Sequence, residues 1–211
     1  HSDSYYEYLL KLFLQSGSRD VELCDRWIGA MQDMISRLVF QKAHFSYVAE
    51  ISDDGGVSHQ YEHLACWVAG SLALGKLLIP EKVPETFVHT AVNLARGCRE
   101  MYNTASGLPA DVFSVSDSGM HAVPDQNYAL LRPEAVEAFY YLFYLTGDSI
   151  YQKWAYDVAV AINTSARTHW GFSAVDEPTK SQPHRRDSVE SFFFAETLKY
   201  LYLIMQGSHA L

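Results

Sequence analysis

The chain has 211 residues, enough for one large domain or two small ones, and it is 48% hydrophobic and 14% aromatic, a composition suited to a large core and aromatic-lined clefts. Its formal net charge of −9 argues against a nucleic-acid partner, which needs a basic surface, and favours an acid-rich site for a cation or a neutral polar ligand such as a sugar. No apolar run approaches the roughly 20 residues that span a bilayer, and no signal peptide is read at His1-Ser2-Asp3, an abrupt start that leaves room for an upstream segment.

In chain order, Ser4 and Glu7 have capping-box spacing, which predicts a helix through Leu9, Leu10, Phe13 and Leu14 to Gly17. Asp3 stands just before it, either as a cap or as a carboxylate pointing into a cleft. A second helix from Arg19-Asp20 carries Ile28, Met31, Met34, Ile35 and Leu38 on one face. The period then changes, and residues 45–51 and 57–59 flank Asp53-Asp-Gly-Gly56 as a β-hairpin. A third helix is predicted from about Glu62 to Lys76, and a fourth from Pro84 to Tyr102, ended by Gly107-Leu-Pro109. Residues 111–127 read as a second hairpin-like insertion.

The fifth helix opens on Leu130-Leu131-Arg132-Pro133-Glu134-Ala135-Val136-Glu137. Proline suits a first helical turn, Glu134 sits near the positive end of the helix dipole, and Glu137 lies one turn on. Gly147 ends it, a sixth helix runs from Asp148 through Trp154 to Ile162, residues 170–175 are extended, and a last helix runs from Asp187 to about Met205. Helix pairs alternating with short β excursions form a weak repeat of helical hairpins. The fold expected is a single all-α domain over residues 1–211, with the helix starts at Asp3, Glu134 and Glu190 on one side. Cys24, Cys66 and Cys98 fit no zinc spacing, and by themselves they read as buried small apolar residues.

Five stretches, in this order, resemble the C-terminal half of the class I α-1,2-mannosidases, glycoside hydrolase family 47. They are Asp3-Ser-Tyr-Tyr-Glu-Tyr-Leu-Leu-Lys11, His63-Leu-Ala-Cys-Trp67 running on to Gly70-Ser-Leu-Ala-Leu-Gly75, Leu131-Arg-Pro-Glu-Ala-Val-Glu137, Thr146-Gly-Asp148, and Glu190-Ser-Phe-Phe-Phe-Ala-Glu-Thr-Leu-Lys-Tyr-Leu-Tyr202. The resemblance implies an (αα)7 barrel, about half of it in this chain. It also implies removal of α-1,2-linked mannose from high-mannose N-glycans with inversion, a bound Ca2+, and work in the endoplasmic reticulum or Golgi lumen. Asp3 matches a catalytic acid/base candidate and Glu134 the general base. Arg132 and Glu137 match sugar-binding or charge-tuning positions, His63 a pocket residue, and Phe192 and Glu196 floor residues. Cys66 and Cys98 match a family disulfide, which leaves Cys24 as the free thiol.

These types suit the chemistry, since inversion needs one acid on the leaving oxygen and one base on water, and calcium takes six to eight oxygens. Phe192, Phe193 and Phe194 cannot all face one way on a helix, so at least one is free to face a cleft. Three departures from the family pattern stand out. The family's first catalytic Glu is expected upstream of this chain, and its calcium-contacting Thr downstream of Leu211. The GLxPE motif reads Gly107-Leu-Pro-Ala110, putting Ala where the family has a substrate-contacting Glu, with Asp111 next door. The remainder of the barrel is therefore an expected partner, and half a ring would expose apolar helix faces. A mannose-binding quality-control module without turnover is the alternative reading.

Overall fold

A computed structural model describes residues 3–207, with the side chain of Asp3 outside the description. Seven α-helices are described: α1 (Asp3–Gln15), α2 (Val21–Leu38), α3 (Trp67–Leu78), α4 (Glu85–Met101), α5 (Glu134–Thr146), α6 (Ile150–Ala161) and α7 (Leu198–Met205). Short strands fill the connections: β1 (Val39–Lys42), β2 (Phe45–Val48), β3 (Glu50–Ile51), β4 (Val57–Ser58), β5 (Gln60–Glu62), β6 (Val112–Ser116), β7 (Gly119–Ala122), β8 (Tyr128–Ala129), β9 (Val175–Asp176) and β10 (His184–Arg185).

The helices pack as neighbouring pairs around α3 and α5, whose sequences are apolar on almost every side because both are buried. α5 begins after Pro133 and stops at Gly147, whose φ of 70° is the left-handed cap that glycine adopts without a Cβ penalty. α2 is capped by Asp20, which accepts from the Leu23 amide at 3.4 Å, and it buries Cys24, Trp27 and Met31. α4 carries Phe87, Ala91, Leu94, Ala95, Cys98 and Met101 into the core. At Gly97 it meets β2 so closely that a Cβ would come within 2.1 Å of the Ser46 carbonyl oxygen.

Both predicted hairpin regions form, with different boundaries. β3 and β4 pair across the Asp53–Gly56 turn, while β1 pairs with β2 and β6 with β7. Three helix starts differ from expectation. α1 already includes Ser4, and Glu7 pairs with Lys11 one turn on instead of closing a capping box. Glu62 ends β5, which pairs with β6, and a 3-10 turn His63–Cys66 leads into α3. The last helix begins after Glu190 rather than at Asp187, because residues 184–188 are held against 174–176 by β9–β10 pairing and by Ala174 N donating to the Ser188 carbonyl at 2.8 Å. Its first turns include a π-helical stretch, Phe193–Thr197, a distortion that is frequent at functional sites. Cys66 and Cys98 are bonded, joining the start of α3 to the last turn of α4, and Cys24 is free and buried.

Candidate active site

Residues 131–137 put an unusual backbone in front of α5. Leu131 has φ of 60°, a left-handed conformation costly for a branched side chain, yet its side chain is buried. Its carbonyl is pinned by the Thr197 hydroxyl at 2.7 Å, which ties the start of α5 to the π-helical stretch. This strained turn turns Arg132 toward Asp111. Arg132 Nε and Nη2 donate to Asp111 Oδ1 and Oδ2 at 2.6 and 3.2 Å, a two-pronged clamp between side chains that are mostly out of water. Phe192 lies with its ring centroid 5.8 Å from the Arg132 guanidinium.

Glu134 follows in the first turn of α5, with its side chain 15% exposed and Oε2 buried without a hydrogen-bond partner. Burial pushes its pKa up to about 8; Arg132 pulls the other way, while Glu137 and Glu196 add to the rise. Burial outweighs Arg132, so the carboxyl largely keeps its proton near neutral pH. His63 Nδ1 sits 3.8 Å from Glu134 Oε2 and is also unpartnered, while its Nε2 meets the Tyr102 hydroxyl at 2.8 Å. Burial lowers the His63 pKa to about 4, so the ring is neutral. Glu137 is buried and accepts from the Tyr200 hydroxyl at 2.7 Å. Burial raises its pKa, opposed by the Tyr200 hydrogen bond and by Lys11. Glu62, at the rim, is pushed to about 7 by burial and by Glu50.

The structure thus brings His63, Arg132, Glu134 and Phe192 together, with Glu137 and Glu196 adding negative charge from α5 and the π-helical stretch. Asp3 opens α1, and its side chain lies outside the described residues. The phenylalanine run divides as geometry requires: Phe193 is core, Phe194 is exposed, and Phe192 is half-buried beside Arg132. The reading at Ala110 needs correction. Ala110 is fully buried, and the acid that reaches the site is Asp111. Spaced as Gly-Leu-x-Pro-Glu from Gly107, the motif's Pro falls on Ala110 and its acid on Asp111, so the departures are Pro to Ala and Glu to Asp, the latter one methylene shorter. Sequence reasoning assigned no role to Tyr102, Thr197 or Tyr200, whose hydroxyls meet His63, the Leu131 carbonyl and Glu137; the only signal was that Thr197 and Tyr200 lie in the 190–202 stretch.

His63, Asp111, Tyr128 and Arg132 share a cleft of about 10 Å³, room for about one water. Among the described residues no group of three His, Cys, Asp or Glu is placed to hold a metal ion, so the donor set seen does not by itself fit calcium. Two carboxyls of unequal environment, a fixed guanidinium and an aromatic ring suit acid–base work on a sugar.

The profile of Glycosyl hydrolase family 47 matches residues 1–211. Human mannosyl-oligosaccharide 1,2-alpha-mannosidase IC is 36% identical over 96% of the chain, and the rat endoplasmic reticulum mannosyl-oligosaccharide 1,2-alpha-mannosidase is 33% identical over 96%. The chain spans about a third of each relative's length, 32% in both cases. An alpha-1,2-mannosidase from Trichoderma reesei superposes with a TM-score of 0.87 at 28% identity, over 96% of this chain and 45% of that one. A whole-length family match, these relatives and a helical fold built around the Arg132–Glu134 turn agree on one conclusion: the chain belongs to glycosyl hydrolase family 47.

Proposed function

We propose that the protein carrying this chain removes α-1,2-linked mannose from high-mannose N-glycans with inversion. The observation that carries the reading is the buried Glu134 carboxyl at the head of α5, backed by His63 and flanked by an Arg132 that Asp111 holds in place. In its ionised form, which a pKa of about 8 leaves as a minor fraction at neutral pH, Glu134 takes the proton of a water that attacks the anomeric carbon from the face opposite the leaving sugar. A base of pKa near the working pH is effective at this. Asp3 is the acid/base candidate of this chain for the other half of the exchange. Arg132 binds sugar hydroxyls, and Phe192 packs on the apolar face of the ring. Glu137 and Glu196 supply the negative field that favours a developing oxocarbenium charge.

Calcium enters as part of this proposal, with direct ligands supplied from outside residues 3–207; no step above runs through it. The remainder of an (αα)7 barrel covers the apolar helix faces of this chain. Tyr5, Tyr8 and Leu12 on α1, and Leu198, Tyr202 and Met205 on α7, are exposed and support that packing. The lumen of the endoplasmic reticulum or Golgi is the proposed site of action, supported by the Cys66–Cys98 disulfide. No described helix is long and apolar enough to cross a membrane. The second reading, a mannose-binding quality-control module, drew on Ala110, and that support weakens with Asp111 on Arg132.

The test is proton NMR of α-1,2-mannobiose hydrolysis by the protein that contains this chain. The first mannose released is expected as the β-anomer. Release of the α-anomer removes inversion, and no release in the presence of calcium removes the hydrolase reading.

A further inference from the structure

Three buried groups stand in line: the Tyr102 hydroxyl, the His63 ring and the Glu134 carboxyl. The first contact is a 2.8 Å hydrogen bond to Nε2, with the two rings meeting edge to face at 5.5 Å. The second faces Nδ1 with Oε2 at 3.8 Å, and neither atom has another partner. That gap is about 1 Å longer than a hydrogen bond, the kind of looseness that closes when substrate binds.

A neutral imidazole carries one N–H and one bare nitrogen. His63 is neutral at working pH because burial drops its pKa to about 4. Burial raises the Tyr102 phenol far above its ordinary range, so Oη keeps its hydrogen. Two proton placements then leave no clash. With Glu134 ionised, Tyr102 donates to Nε2 and Nδ1–H donates to Oε2. With Glu134 protonated on Oε2, the carboxyl donates to bare Nδ1, and Nε2–H donates to the Tyr102 oxygen. A hydroxyl serves both placements because it donates and accepts; a backbone carbonyl, a carboxylate or an ammonium serves only one.

We propose that Tyr102 and His63 form a two-way hydrogen-bond relay in which the His63 tautomer follows the protonation of Glu134, with Tyr102 as a positioning residue at its far end. The catalytic consequence rests on Glu134 being the base. The ring carries one hydrogen in both placements: the proton taken from water stays on Glu134, the ring hydrogen passes from Nδ1 to Nε2 by exchange through solvent, and a base that gains a proton in each turnover then has a paired nitrogen in both states. The other charged and titratable groups facing these are held around them by the fold, and one of them, Glu137, itself has a pKa raised by burial. Arg132, Glu137 and Glu196 act on Glu134, Asp111 and Arg132 act on His63, and Arg99 acts on Tyr102.

The experiment is long-range nitrogen–proton NMR of ring-labelled histidine in the protein that contains this chain, between pH 6 and 9.5, with His63 assigned by His63→Gln. The wild type is expected to pass from Nε2–H to Nδ1–H with a midpoint near the Glu134 value of about 8. Glu134→Gln is expected to abolish that inflection. Tyr102→Phe is expected to move the midpoint down, because a buried N–H left without a partner is worse tolerated than a bare acceptor. It is also expected to lower kcat by about three- to tenfold, the equivalent of one lost hydrogen bond, with KM unchanged. A single tautomer across the range in the wild type, or an inflection that survives Glu134→Gln, overturns the relay. An unchanged midpoint in Tyr102→Phe overturns the part given to Tyr102. If the tautomer switches as expected but no mannobiose is hydrolysed, the relay stands and the hydrolase reading falls.

Discussion

Glu134→Gln is expected to make the protein more stable and less active at the same time. The folded carboxyl holds its proton up to about pH 8, whereas an unfolded glutamate releases it near its ordinary value of 4.5. Because the folded pKa is the higher one, the stability linked to this group is fully present below about pH 4.5. It is lost progressively as pH rises through 8. One pKa unit corresponds to about 1.4 kcal/mol, so the cost reaches about 1 kcal/mol at pH 5 and about 3 kcal/mol at pH 7. Glutamine keeps the shape without the charge, and it cancels that cost. The assay is urea unfolding of wild type and variant at pH 5, 6, 7 and 8, with the difference in midpoint expected to widen at each step. Turnover of α-1,2-mannobiose is expected to drop by about 10²–10⁴-fold while sugar binding survives, as for loss of a general base. A stability difference that stays flat with pH refutes the burial argument. Near wild-type turnover moves the base elsewhere, with Asp3 the first place to look, and loss of sugar binding makes Glu134 a ligand or scaffold residue.

Asp111→Asn removes the charged half of the Arg132 clamp, and kcat/KM is expected to fall by about 10- to 100-fold, mostly through KM; equal activity in steady-state assays removes the clamp from the mechanism. Cys66→Ala with Cys98→Ala opens a link spanning 32 residues, and chain-entropy scaling puts the loss at about 3–4 kcal/mol, read by denaturant unfolding under non-reducing conditions. Gly97→Ala forces a Cβ onto the Ser46 carbonyl, which cannot move without breaking the α4–β2 contact; a loss of about 1–3 kcal/mol in thermal unfolding is expected, and a neutral result shows that β2 can shift.

The helix starts and stops written in local chemistry were legible. Pro133 and Gly147 bound α5 almost to the residue, and Asp20 caps α2. The two hairpin regions were legible from turn residues. What was not legible depended on distant partners. β5 is three residues long and exists because β6, some 50 residues later, pairs with it. Residues 187–190 look helical by composition, but β9–β10 pairing at 184–185 and the Ala174 N–H on the Ser188 carbonyl hold the chain extended up to the helix start. The same limit applied in the site. The family motifs named Arg132, Glu134 and His63 and held Asp111 and Tyr200 without their partners, yet Asp111, Tyr102 and Tyr200 lie 21, 39 and 63 residues from the groups they contact, and no local rule gives those pairings.

The costs in this chain gather in one place. Leu131 holds a left-handed backbone, Glu134 carries a carboxyl pushed far from its ordinary pKa, and Nδ1 and Oε2 face each other without a bond. Each is a term that folding alone would remove. They persist because the surroundings over-determine them: Thr197 pins the Leu131 carbonyl, Asp111 fixes Arg132, and the disulfide joins the α3 and α4 ends behind His63. Tolerance to change should therefore be uneven. Thr197→Val preserves volume but frees the Leu131 carbonyl, and its effect should appear first as a misplaced Glu134 rather than as unfolding. The measurement that separates the two is the Glu134-linked pH dependence of stability. If Thr197→Val flattens that dependence while the unfolding midpoint at pH 5 changes little, the strained turn exists to hold the carboxyl in its buried position. If stability falls equally at every pH, the Thr197 hydroxyl is ordinary packing, and the left-handed turn is set by the core around Leu131 alone.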